Sequence, residues 1–521
     1  VYVNADDLKK AGVSQTSLGT ITDMDGKFSI SIPEKVTRLH CSYIGFEEQN
    51  IVLQAGKDTY RIVLQASSHT LGDVVVTGYQ ELERRKLTAA IAKVDVTDGM
   101  VGAAKSIDQA LAGQVAGVAV TTTSGAPGAP ARIRIRGTAS LNGTQDPLWV
   151  LDGIPLEGTD IAKLSTDTDN DIVNMKQSSI AGLSPNDIES ITILKDAAAT
   201  AIYGARAANG VIIITSKRGR TGKPVINFNT RLTYTPNQQQ GWNGLTTEAQ
   251  NAINRLKTIN TDWNDILFRD AFTQEYNFSI SGGSEKVTYY NSLGYSQENG
   301  NVPGVNMSRF NLTNKTSYQV NRILKIGTSL FANRRKNKDF ITDKYGYSNP
   351  VYYSRVANPY QEIYDAEGNY VYDYDIVSNS DNEPDPERGF NLLEDRANTS
   401  KETITTAINA IFNADLRFND HWKLTSQVGL QWEQSGVEQY IGANTFSMRD
   451  MRKDSKSGDT YRIPEGGMHK VSNATTSQIT WKVQGEWSQT FKNIHEVQIM
   501  GGSEIRKNWY ETLASNAYGY D

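Results

Sequence analysis

ITTAINAIFNADLRF, residues 404–418, is the stretch on which the fold turns. Ile404, Thr406, Ile408, Ala410, Phe412, Ala414, Leu416 and Phe418 lie on one side of an extended chain. Thr405, Ala407, Asn409, Ile411, Asn413, Asp415, Arg417 and Asn419 lie on the other, and all but Ala407 and Ile411 of these are polar. Period-two alternation is the mark of a strand with one apolar and one polar face. The pattern returns in Trp422, Leu424, Val428, Leu430 and Trp432, set against Lys423, Thr425, Gln427, Gln431 and Glu433. It returns again in Ile479, Trp481, Val483, Trp487 and Phe491, set against Thr480, Lys482, Gln484 and Glu486. These strands exceed the usual ~5–6 residues. With aromatics near their ends, they predict an antiparallel transmembrane β-barrel: apolar side to lipid, polar side to the lumen.

The connections agree. Tight gaps at Gly282–Glu285, Val320–Arg322, Asn419–His421 and Lys492–His495 alternate with long ones at 236–272, 335–402 and 436–472, with a shorter one near 298–307. Short turns on one rim and long loops on the other are the asymmetry of such barrels. Half of every strand is polar, which accounts for a mean hydropathy of -0.49. Nine strands are expected between Val225 and the C-terminus. An odd count with two open edges is not viable in lipid, so the barrel is expected to continue past Asp521. A leader segment is likewise expected ahead of Val1.

Upstream lies a compact α+β region. ARIRIRG (131–137), PLWVLDGIPL (147–156) and SPNDIESITILKDAAATAIYGARAANGVIIITSK (184–217) alternate short strands with tight turns. Arg132, Arg134 and Arg136 form a charged face opposite Ile133 and Ile135. That face suits either a solvated edge or ion pairs with carboxylates of a surrounding wall. Asp152-Gly153 predicts a hairpin turn. Ser106 is expected to cap a helix over 106–118, with Asp108 in its first turn. Ser184, Pro185 and Asp187 spell a helix start. Asp196 is expected to cap a helix over Ala197–Tyr203 that Gly204 stops. Val211–Thr215 is apolar throughout and must be buried on both faces.

Residues 1–66 predict a small β-sandwich, incomplete at its start. Asp25-Gly26 is a hairpin signal, and Phe28, Ile30 and Ile32 alternate with Ser29 and Ser31. Further strands are expected at Leu39–Ile44, Ile51–Leu53 and Tyr60–Leu64. Next, LGDVVVTGYQ (71–80) places three valines in a row before the charged stretch ELERRK (81–86). Such a run suits a strand added to a partner's sheet, or equally one more strand of the sandwich.

Composition narrows the function. The net charge of -5 disfavours a nucleic-acid partner. The lone Cys41 cannot form an internal disulfide and suits a buried strand position. Asp23 and Asp25 read as a turn, and Asp167, Asp169 and Asp171 as a solvated acidic loop, because the glycine and the bidentate glutamate of a calcium loop are missing. His495-Glu496 lacks the second histidine of a zinc helix, and Gly219–Lys223 has the wrong spacing for a phosphate loop. No catalytic residue, resident metal or cofactor is expected.

With these stretches in view, the chain resembles the TonB-dependent outer-membrane transporters of the SusC/RagA family. GTITDMDGKFSISIP with LHCSYIGFEEQNIVL resembles their carboxypeptidase-regulatory-like domain. LGDVVVTGYQ sits where they carry the TonB box, although Gln80 replaces a usual glycine. SIDQALAGQVAGVAVTTTSGAPGAPARIRIRGTASLNGTQDPLWVLDGIPL and the stretch after it resemble their plug. NTDWNDILFRDAFTQEYNFSISGGSEKVTYYNSLGY resembles their early barrel. The domains implied are a regulatory-like sandwich (1–66), a linker with the TonB box (67–105), a plug (106–220) and the N-terminal part of a barrel (225–521).

The resemblance further implies a place in the outer membrane of a Gram-negative bacterium, with the N-terminal domain in the periplasm. The partners implied are outer-membrane lipid, the energising inner-membrane complex acting through TonB on Asp73, Val74, Val75, Val76, Thr77, Gly78 and Tyr79, and a SusD-like lipoprotein. The cargo implied is an oligomeric nutrient, glycan first and peptide second. A siderophore or metal-chelate receptor, and a signalling receptor or adhesin, are the alternatives. Loop tyrosines, among them Tyr345, Tyr347, Tyr352, Tyr353 and Tyr360, suit stacking on sugar rings or packing of the loop on itself.

Overall fold

The computed structural model of the protein describes residues 2–3, 18–23, 26–33, 35–42, 49–54, 56–64, 74–76, 81–83, 91–96, 106–122, 125–129, 131–137, 146–156, 182–196, 200–237, 261–343, 345–357, 359, 361–374, 389–491 and 495–520. The chain divides into two compact units, Val1–Thr88 and Ala89–Asp521.

The first unit holds one four-stranded antiparallel sheet, in the order β2-β1-β3-β4, from Tyr2–Val3 (β1), Leu18–Gly19 (β2), Arg38–Cys41 (β3) and Gln49–Val52 (β4). Val3, Val36 and Leu39 form its buried centre, and Ile30, Ile32 and Leu53 pack against them. The alternation at 28–32 therefore identified a buried face. Residues 27–33 and 57–64, however, run without joining the ladder, where strands were expected. Asp23 serves a turn: its Oδ1 accepts from the Lys27 amide at 2.8 Å. Cys41 is buried at the end of β3.

Val74–Val76 (β5) joins neither that sheet nor a longer strand. It pairs antiparallel with Glu81–Glu83 (β6) as a separate hairpin, Val74 opposite Glu83 and Val76 opposite Glu81. The stretch expected to be simply charged thus supplies the second strand.

In the second unit, a five-stranded sheet runs in the order β11-β10-β13-β12-β7. Its strands are Ile91–Asp95 (β7), Leu148–Leu151 (β10), Ile154–Pro155 (β11), Ile188–Leu194 (β12) and Val211–Ser216 (β13). A two-stranded ribbon, Val118–Thr122 (β8) with Ala131–Ile135 (β9), packs beside it. All of β13 is buried, as its continuous apolar run requires, and it lies parallel to β10 and antiparallel to β12. The helix expected over 106–118 is one turn, Ile107–Ala110. Gly113 and Gly117 take φ of 72° and 78°, which leaves the helical region, and Val118 opens a strand instead. Ser184 makes no side-chain cap, and Pro185–Asp187 is a single 3-10 turn. Residues 197–199, where the helix after Asp196 was expected to begin, lie outside the described residues; from Ala201 the chain is 3-10, broken at Gly204 with φ 69°.

The wall is one antiparallel sheet of nine strands among the described residues. In order these are Gly222–Thr235 (β14), Ala271–Gly283 (β15), Val287–Asn299 (β16), Asn306–Gln319 (β17), Leu324–Asp339 (β18), Thr399–Arg417 (β19), Trp422–Ile441 (β20), Gly467–Phe491 (β23) and His495–Tyr520 (β24). A small ribbon, Lys456–Ser457 (β21) with Thr460–Tyr461 (β22), sits between β20 and β23. The faces fall as the alternation predicts: Ile408 and Phe412 are 39% and 47% exposed, while Thr405, Ala407, Asn409 and Ile411 are buried. Strands outrun their expected limits, so the 335–402 gap shrinks to 340–398 and the 436–472 gap to 442–466.

Among the described residues, the long connections carry short helices with a core of their own. Short helices at Trp263–Leu267, Pro350–Val356, Leu392–Ala397 and Phe446–Asp454 are each capped by the preceding side chain: Asp262, Asn349, Asn391 and Thr445. They bury Trp263, Leu267, Tyr353, Phe390, Leu392 and Phe446 in a core of their own, separate from the plug core.

Candidate functional site

The plug sheet lies against the inward face of the wall, and the two sides are joined mainly by hydrogen bonds. Register explains the match. Across β19, β20 and β23, three successive inward rows read Asn413-Gln427-Lys482, Ile411-Gly429-Thr480 and Asn409-Gln431-Gln478. The plug turn Asp152–Pro155 presses onto them. Gln427 Nε2 donates to the Asp152 carbonyl at 3.0 Å, Lys482 Nζ to the Gly153 carbonyl at 3.2 Å, and Gln478 Nε2 to the Pro155 carbonyl at 2.7 Å. The turn is tight enough to put Asp152 itself at φ 46°. Between the polar rows, Ile154 enters the space that Gly429 leaves open: a Cβ on Gly429 would stand 2.8 Å from Ile154 Cγ2. Ile411 and Phe331 of the wall join the plug's apolar core directly.

The second anchor lies across β16, β17 and β18. Tyr290-Lys315-Ser329 and Ser292-Thr313-Phe331 are adjacent inward rows there. Lys315 Nζ reaches Asp152 Oδ2 at 2.9 Å and Ser216 Oγ at 2.6 Å, with both charged side chains nearly buried. Ser216 returns two bonds to the same carboxylate, from N at 3.0 Å and from Oγ at 2.7 Å. Burial pushes the Asp152 carboxyl up; the Lys315 ammonium, then Arg218 and the Ser216 bonds, overcome this and hold it below the usual carboxylate range. Asp187 accepts from Tyr290 Oη at 2.9 Å and from Thr313 Oγ1 at 2.7 Å. Farther along, Asn311 Nδ2 donates to the Gly182 carbonyl at 2.9 Å. Asp108 accepts from the Ala131 amide and interacts electrostatically with wall Arg309 and Arg335.

At these contacts the plug contributes the carboxylates Asp108, Asp152 and Asp187, and the wall contributes the cations and hydroxyls. The charged face at 132–136 was expected to be either a solvated edge or a partner of wall carboxylates. Arg136 pairs with Asp196, on the plug itself, and Arg132 is exposed. Arg134 is half-buried on β9, whose other side carries Ile133 and Ile135 into the core. Asp152 and Asp187 carried a usable signal only as turn and cap residues, and both duties hid the longer reach of their side chains.

Of the other expected site residues, Val74, Val75 and Val76 form β5, while Asp73, Thr77, Gly78 and Tyr79 lie outside the described residues, as do Tyr360 and the acidic loop 165–171. The tyrosines divide. Tyr353 is 1% exposed and packs edge-on against Trp263 and Phe390, so it belongs to the loop core. Tyr347 packs beside Phe390 and Phe446. Tyr345 and Tyr352 remain 42% and 46% exposed.

Asp395 ties two of the long loops together by accepting from the Phe446 amide at 2.8 Å. Burial, followed by the smaller effects of that amide, Arg449, Asp343 and Glu394, leaves its carboxyl pushed up to about 7. A raised carboxyl holds its proton in the folded loops but not in the unfolded chain. Stability therefore falls as pH rises from about 4 to about 7 and is level above that. Limited proteolysis within 442–466 is expected to run faster at pH 8 than at pH 6, and Asp395→Asn to abolish the difference.

Comparison with known proteins follows the same outline. A family model for the TonB-dependent Receptor Plug Domain matches residues 83–211, and one for the CarboxypepD_reg-like domain matches 10–76. The TonB-dependent receptor SusC of Bacteroides thetaiotaomicron is 31% identical over 472 residues, which is 83% of this chain and 44% of that protein. The TonB-dependent receptor P26 of Formosa agariphila is 28% identical over 531 residues, covering 97% of this chain and 48% of the relative. The chain thus spans about half the length of the curated relatives it matches. Among solved structures, the RagAB peptide importer in its open-open state shares the fold, with a TM-score of 0.64 and 22% identity over 86% of this chain and 50% of that one. A regulatory-like domain, a plug and a partial antiparallel wall in this order place the chain in the SusC/RagA-type TonB-dependent receptors.

Proposed function

We propose that the complete protein imports an oligomeric nutrient across the outer membrane, driven through TonB, with a SusD-like lipoprotein at the long-loop rim. The observation that carries this reading is the plug–wall interface. It rests on hydrogen bonds such as Gln478 to Pro155 and Lys482 to Gly153, which water can replace as the plug moves. The division proposed is 1–66 regulatory-like, 67–105 linker and box, 106–220 plug and 225–521 wall, with the first of these in the periplasm.

TonB would pair along β5 by strand addition, main chain to main chain, on the edge not taken by β6. Deleting residues 73–79 from the full-length receptor should abolish uptake by energised cells while leaving substrate binding unchanged. Uptake that survives the deletion would falsify the mechanism. A glycan is the cargo we favour, because the exposed rings of Tyr345 and Tyr352 offer faces on which sugars stack. Tyr352→Ala is expected to weaken glycan binding roughly tenfold, the ~1.4 kcal/mol of one stacked ring, whereas Tyr353→Ala should unfold the loop core and be read as loss of protease resistance.

A further inference from the structure

Beneath the Asp152 and Asp187 anchors, on the short-turn side of the plug, lies a cavity of about 650 Å³. Its plug side is the segment leaving β13, residues 217–221, and its wall side is β14, with Lys223, Val225 and Asn227, and the inward face of β15 with Tyr290. Four cations, Lys217, Arg218, Arg220 and Lys223, face it against one carboxylate, Glu189. Glu189 lies 3.3 Å from Arg220 in an open, solvent-facing pair. No ion pair among the described residues engages the side chains of Lys217, Arg218 or Lys223, although Arg218 acts by its field on the Asp152–Lys315 pair.

The segment is also fixed. The Lys217 amide donates to the Asp187 carbonyl at 2.8 Å. Gly219 lies so close to the Tyr289 backbone that no Cβ fits between them. A connector needs neither this charge nor this placement. Four cations around a recess that also carries Ser279 and Ser281 are a donor set suited to an oxyanion.

We propose that this cavity binds an oxyanion, carboxylate or phosphate, at the mouth through which the plug–wall interface opens toward the short-turn side. A bound anion would compete with Asp152 for the field of Arg218 and so couple occupancy to the anchor above. The binding claim does not rest on the import reading. Only the identity of the anion does, since a carboxylate would arrive on an acidic cargo and a phosphate from solution.

The test is hydrogen exchange of segment 217–227 in the full-length receptor in detergent, without TonB. The probes are inorganic phosphate and glucuronate, compared with glucose and with sodium chloride at equal ionic strength. Phosphate or glucuronate, at tenfold over its dissociation constant, is expected to slow exchange about tenfold. Glucose and chloride should not. Arg218→Gln/Arg220→Gln should lose the effect, and Lys223→Gln, remote from the anchors, should weaken it. Slowing by phosphate alone supports the site and makes its anion a free one; slowing by glucuronate supports it and joins it to cargo. No slowing by either probe beyond the chloride control, or equal slowing in the double variant, overturns it. Uptake plays no part in this readout, so failure here is distinct from failure of the import mechanism.

Discussion

Asp152→Asn is expected to loosen the plug by about 3–5 kcal/mol, because it strands the Lys315 ammonium in a nearly dry site. The asparagine tolerates the left-handed backbone at 152, so the loss reports charge and not turn strain. Hydrogen exchange of the β10 and β13 amides should accelerate at least a hundredfold, since each ~1.4 kcal/mol is a factor of ten. Lys315→Met should cost less, because Asp152 keeps its two bonds from Ser216 and the field of Arg218. The double variant Asp152→Asn/Lys315→Met should be tighter than Asp152→Asn alone, since no unpaired charge remains. A double variant as loose as the sum of the singles would show that the pair is not the anchor. The pH dependence has a definite sign. Asp152 has its carboxyl pulled down, so its contribution is complete above the unfolded value near 3.8 and is lost as pH falls through the lowered one. Plug exchange should be flat between pH 5 and pH 8 as far as this group is concerned. The Asp395 loops, whose carboxyl is pushed up, should change within the same range.

Why the wall was legible and its contacts were not follows from the residues themselves. A two-residue period survives any loop length, so β19 and its neighbours could be read from Ile404 onward without knowing what they enclose. The two breaks in that period carried information. Ile411, apolar on the polar side, touches the plug core, and Ala407 is buried on the same face. The helix at 106–118 failed for a local reason: apolar spacing fitted, but Gly113 and Gly117 turn out of the helix in a segment too short to resist them. Asp152 and Asp187 failed for a distant one. Each sits at a turn where a carboxylate is expected anyway, and their partners Lys315, Tyr290 and Thr313 are more than a hundred residues away. Nothing local distinguishes such a side chain from an ordinary turn acid. The valine run was ambiguous because strand propensity says that a segment will pair and not with what.

Gly429→Val should keep the plug from seating, and a size swap should restore it. Gly429 stands in the row Ile411-Gly429-Thr480, and the only room for a side chain there is already filled by Ile154 of the plug turn. Ile154 is 3% exposed and cannot swing into water. It is β-branched, with few rotamers to retreat into. A valine at 429 therefore displaces the turn, and with it the bonds of Gln427, Lys482 and Gln478 to Asp152, Gly153 and Pro155. Overpacking alone costs about 1–3 kcal/mol, and each of these hydrogen bonds about 0.5–1.5 kcal/mol more. Ile154→Ala makes the opposite error, a void under the turn costing about 2–5 kcal/mol. Joined, Gly429→Val/Ile154→Ala moves volume from plug to wall, and such exchanges in a packed core recover much of what the single changes lose. Protease cleavage of the plug in the intact receptor should rise sharply in each single variant and fall back toward wild type in the double. If the double variant is no better than Gly429→Val, the valine acts on the strand itself, and Gly429 is a wall glycine with no part in receiving the plug.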